Sequence, residues 1–71
     1  MENKLLIDLS VKYGLNSAQL SKLTDIAYQA GAQNMESRKF KRVLNYICSM
    51  GMVDKPSEEI MEELRLKGLT I

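Results

Sequence analysis

The sequence predicts an all-α fold, a compact four-helix domain. Three observations predict it. The four glycines fall at positions 14, 31, 51 and 68, and each closes a stretch with helical periodicity. Each is followed by an apolar residue, Leu15, Ala32, Met52 and Leu69. That is the pattern of a left-handed C-terminal cap, in which glycine takes positive φ and the next residue packs back on the helix. Strand-type alternation is absent except over Leu5 to Leu9, where either period fits.

The first helix is predicted over residues 3–13. Leu5, Leu6, Leu9 and Tyr13 share one face, whereas Ile7 and Val11 lie about 100° or more away from it. Two apolar faces fit either burial on both sides or a surface for another chain. The second helix is predicted over 17–30. Asn16 as N-cap, with Gln19 three residues on, approximates a capping box. Leu20, Leu23, Ile26, Ala27 and Ala30 form its core stripe. Ser21, Lys22, Asp25 and Gln29 lie on or near the opposite side.

The third helix is predicted over 35–50, with Asn34 or Ser37 as its cap. Phe40, Val43, Leu44, Ile47 and Met50 recur at helical spacing and make its apolar stripe. Arg38, Arg42, Asn45 and Ser49 occupy the opposite face. Tyr46 stands at the edge of that face, and Lys39 and Lys41 flank the stripe. The fourth helix is predicted over 56–67. Pro56 suits a first turn, where its missing N–H is no loss. Glu58 and Glu59 suit the positive end of the helix, and Arg65 and Lys67 the negative end. Ile60, Met61 and Leu64 supply the core face.

A chain of 71 residues is expected to form one domain, 1–71. Domains this small bury only about 60% of their unfolded surface. Many rely on a disulfide, a metal or a second subunit. Cys48 is the one cysteine, which excludes an intrachain disulfide, and the absence of histidine excludes Cys/His zinc sites. No cofactor or metal is expected. The small size and the two-faced first helix instead point to a homodimer. No apolar run reaches the ~20 residues that span a bilayer. The segment Met1 to Asp8 carries charges of both signs and lacks the apolar core of a signal peptide. A lone thiol suits a reducing compartment. The expected location is the cytoplasm, with no membrane partner.

The residue types disfavour catalysis. Without histidine the usual general base near neutral pH is missing. Cys48 lies beside the core stripe, where it behaves as a small hydrophobe. The pairs Glu58–Glu59 and Glu62–Glu63 are adjacent in sequence, so their carboxylates diverge on a helix. The glycines are too far apart to cradle a phosphate. A non-enzymatic binding role remains.

Its strongest signal is Ser37-Arg38-Lys39-Phe40-Lys41-Arg42, which sets four cations at the start of one helix. The net charge is only +1, so any electrostatic attraction is local. Such a helix can lie in a major groove with its N-terminal residues on phosphates and base edges. The planar forks of Arg38 and Arg42 suit those contacts best. Asn45, Tyr46 and Ser49 would extend the surface.

Residues 37–56, Ser-Arg-Lys-Phe-Lys-Arg-Val-Leu-Asn-Tyr-Ile-Cys-Ser-Met-Gly-Met-Val-Asp-Lys-Pro, resemble the recognition helix of winged helix-turn-helix regulators. In that family a helix opening with Ser and Arg closes on Gly-Leu-Val or a near variant, here Gly51-Met52-Val53. The resemblance implies duplex DNA as partner, usually for a dimer, and contacts through Ser37, Arg38, Lys39, Lys41 and Arg42. It also implies a helix-turn-helix-like core made from the second and third helices. The pattern departs from the family after Val53. Where the family builds a β-hairpin wing, Pro56-Ser57-Glu58-Glu59 begins another helix. Two functions therefore stand at the level of sequence. One is a small DNA-binding or transcription-regulating accessory protein that uses the basic face of the third helix. The other is a protein-binding inhibitor or adaptor that docks Ile7 and Val11, or the methionines, on a larger partner.

Overall fold

Asn3, Asn16 and Ser37 each sit in extended backbone and accept a hydrogen bond from the backbone N–H three residues on, which starts a helix. The computed structural model describes residues 3–70, and four helices follow in order. They are α1 (Lys4–Tyr13), α2 (Ser17–Gln29), α3 (Arg38–Ser49) and α4 (Ser57–Leu66). There is no strand among the described residues, and the fold is all-α. The capping box at the start of α2 is complete. Gln19 N–H reaches Asn16 Oδ1 at 2.8 Å, and Asn16 N–H reaches Gln19 Oε1 at 2.9 Å.

The ends are set by glycine. Gly14 and Gly51 both take φ of +67°, where a side chain would be strained. The chain then folds back on the helix it has left. Leu15 N–H donates to Ser10 O, and Met52 N–H to Ile47 O, each at 3.0 Å. Gly51 N–H adds a bond to Cys48 O, completing a Schellman motif. Met52 is buried and Leu15 packs against the core, so each cap also closes an apolar contact.

α3 supplies the largest share of the core. Phe40, Val43, Leu44 and Ile47 are fully buried, and they meet Leu23 and Ile26 of α2 and Ile60 and Leu64 of α4 in one core. Tyr28 and Phe40 form a tilted ring pair with centroids 5.9 Å apart. α1 contributes only Leu9 as a buried residue, with Leu5 and Leu6 partly buried against it. The radius of gyration, 10.9 Å, matches the ~11 Å expected of a compact chain of this length.

Four details differ from the sequence expectation. α3 begins at Arg38 rather than residue 35, because Ser37 is its cap. Asn34 instead shapes the preceding turn, accepting from Glu36 N–H at 2.8 Å. Met50 falls outside the core stripe and is 59% exposed, since the helix ends at Ser49 and the chain reverses at Gly51. Tyr13, the last residue of α1, is exposed as well. Lys22 is not a solvated outer residue. Its ammonium donates to Val53 O at 2.9 Å and to Lys55 O, so α2 holds the loop between α3 and α4. The apolar pair on the second face of α1 is uncovered, with Ile7 44% and Val11 80% exposed.

Candidate functional site

The outer face of α3 follows from its inner one. With Phe40, Val43, Leu44 and Ile47 turned to the core, a period of 3.6 residues leaves Arg38, Arg42, Asn45 and Ser49 on the far side. All four are exposed. Lys41 is exposed on one flank, and Lys39 and Tyr46 are half-buried on the other. α3 contains no acidic residue. Among the described residues the only ion pair is Arg65–Glu62 on α4, so none of the four cations is ion-paired; Asp8 and Glu36 come near Lys41 alone.

These cations stand where a helix disfavours them. The first turn of a helix carries the positive end of its dipole, and the first turn of α3 has no acidic residue. Arg38 and Arg42 are also like charges at i and i+4, a repulsion of roughly 0.2–0.5 kcal/mol. α4 follows the opposite rule, with Glu58 and Glu59 in its first turn and Arg65 in its last.

The two serines of the surface are largely committed. Ser37 Oγ donates to Asn34 O at 2.8 Å and accepts from Phe40 N–H at 3.2 Å. Ser49 Oγ donates to Tyr46 O at 3.1 Å. With their protons used, both can only accept, so neither serves a phosphate oxygen in this arrangement. Donors for an anion come from the four cations and the Asn45 amide.

The cationic run opens on two different depressions. Arg38, Lys39 and Arg42, with Val43, Gly68 and Leu69, line a cleft of about 130 Å³ between α3 and the end of α4. Lys41 faces the other way, into a groove shared with Lys4 and with the carboxylates of Asp8 and Glu36. Sequence reasoning placed all four cations on one helix end. It had no signal for this division, which depends on the elements that flank α3.

Other groups are weaker candidates. Cys48 is buried, and burial pushes its thiol above the ordinary range, so it is a poor nucleophile. A groove of about 650 Å³ runs between the end of α2 and α4; its charges are Glu58, Glu62 and the Arg65 already bound to Glu62. No described helix is long and apolar enough to cross a membrane. Compared with protein families, curated proteins and solved structures, the chain matches none.

Proposed function

We propose that this protein is a small, non-enzymatic DNA-binding or transcription-regulating accessory protein of the cytoplasm that uses the outer face of α3. One observation carries the reading. Four cations gather at the start of a helix, those in its first turn stand at its positive end where they cost stability, and none is ion-paired with a described carboxylate. An anionic partner would remove that cost. In this reading Arg38, Lys39, Lys41 and Arg42 meet phosphates, and Asn45 and Tyr46 extend the contact along a groove. Ser37 and Ser49 serve as acceptors for base donors.

The reading rests on this face rather than on a helix-turn-helix motif. α2 and α3 pack on each other, but residues 30 to 37 join them, a longer link than the roughly three- to four-residue turn of that motif. The protein would act as a dimer, which gives two such faces. A gel shift on duplex DNA at low salt tests the proposal. Binding should be lost in Arg38→Ala with Arg42→Ala, and absence of a shift for the native chain rejects it.

A second reading has its own observation, the uncovered Ile7 and Val11 of α1. A single apolar pair at helical spacing fits a protein partner's groove. Capture of one stoichiometric partner, lost in Ile7→Asp while the basic face is intact, would favour it over DNA.

A further inference from the structure

We propose that the cleft between the first turns of α3 and the end of α4 is a binding site for one phosphate group; that the phosphate belongs to a duplex backbone rests on the reading above. Three features of the cleft lead there. Its charged lining residues are Arg38, Lys39 and Arg42, and none of its lining side chains is acidic. The groove on the Lys41 side, in contrast, mixes two lysines with two carboxylates and offers no net attraction of that size. The apolar lining of the Arg38–Lys39–Arg42 cleft comes from the partly buried Leu69 and from Val43, a core residue. A charge held against such a wall is less screened than one on an open helix face.

The dimensions fit the same group. The space, about 130 Å³, is well above the ~10–15 Å³ that a single water needs, so the cleft has room for a group of several atoms such as a phosphate. Arg38 and Arg42 are one helical turn apart on the same side, and Lys39 is one turn before Arg42 on its flank. The three cations therefore converge on one space instead of following a backbone along the groove. Lys41 is left for a second phosphate or a base edge. The segment after α4 gains a role as well: Gly68 and Leu69 are the far side of the site.

The convergence has a measurable consequence. Independent contacts would each contribute about 0.9 to the slope of log K against log salt. Three cations on one phosphate contribute about 0.9 together. The experiment combines two titrations on the whole chain. In the first, inorganic phosphate is added and backbone amide shifts are followed. Shifts should concentrate at residues 38–43 and 68–69 and disappear in Arg38→Ala with Arg42→Ala. Shifts scattered over all lysines, or none at 68–69, would overturn the site. In the second, duplex DNA binding is measured across salt. Arg38→Ala, Lys39→Ala and Arg42→Ala should each weaken binding, the arginines by roughly tenfold. The triple variant should lower the slope by about one, whereas a fall of nearly three would show separate phosphates and reject the cleft while leaving DNA binding intact. Localised phosphate shifts without any duplex binding would uphold the cleft and reject the DNA reading. Circular dichroism of each variant confirms that the helices persist.

Discussion

α3 and α4 both turn an apolar face to the core, the larger one on α3, and carry opposite outer faces. Phe40, Val43, Leu44 and Ile47 of α3 are fully buried, as are Ile60 and Leu64 of α4. Outside, α4 places Glu58 and Glu59 at its start and Arg65 at its end, which favours the helix dipole. α3 places arginine and lysine at its start and no acid anywhere. The charges of α4 are accounted for by helix stability. Those of α3 are not, because its first turn carries cations and no acid. A basic cluster is often an ordinary solvated face; its position on the helix is what the proposed binding role rests on.

The comparison can be broken first at the core. Phe40→Ala should cost about 3–5 kcal/mol and Leu64→Ala about 2–5 kcal/mol, measured by thermal or denaturant unfolding. A chain of this size holds roughly 4–10 kcal/mol in all, so either change brings it near the edge of folding. If Leu64→Ala were nearly neutral, α4 would be a loosely attached helix and its likeness to α3 would fail. The next effect lies in the loop between the two helices. Lys22→Met removes a charged donor from the Val53 and Lys55 carbonyls. It should cost about 1.5–3 kcal/mol, and hydrogen exchange should quicken around residues 52–56 ahead of α3.

Rewriting α3 in the manner of α4 sharpens the comparison most. Arg38→Glu with Lys39→Glu should raise stability by about 0.3–1 kcal/mol per site and abolish DNA binding in the same molecule. Glu58→Lys with Glu59→Lys should lower stability by a similar amount. Equal stability in both pairs would mean that the dipole argument has no force here.

The smallest effect is the pH response of the surface pair on α4. The hydrogen bond from Arg65 holds the Glu62 carboxyl below the usual range; desolvation opposes the shift and the guanidinium charge adds to it. A lowered folded-state pKa gives stability that is present above the unfolded value and is lost as pH falls through the folded one. Both side chains are exposed, so the acid limb of the stability curve should move only slightly. In Arg65→Ala the Glu62 titration, followed by NMR, should return to the ordinary carboxylate range.

Local chemistry made much of this readable from the chain. The glycine caps, the Asn16–Gln19 box, the core stripe of α3 and the exposed set Arg38, Arg42, Asn45 and Ser49 all follow from spacing within one helix. Features that need a second element were not readable. Lys22 shows helical periodicity like any outer lysine, and only the path of residues 53–55 brings carbonyls to it. Asn3 is a cap by its type, but its second bond, from Nδ2 to Met35 O at 3.3 Å, joins distant segments. Met50 fits the stripe by angle and misses the core because the helix stops one residue earlier. In the same way, periodicity put Lys39 beside Arg38 and Arg42. The end of α4, which turns the three into a cleft, had no trace in that pattern.

The most direct test of the charge on α3 is the equilibrium binding of the native chain to a duplex, followed by fluorescence anisotropy over a range of salt. Binding at low salt, with log K falling linearly as log salt rises and with little dependence on sequence far from the optimum, is the predicted result. No binding at low salt, or an affinity indifferent to salt, would contradict it.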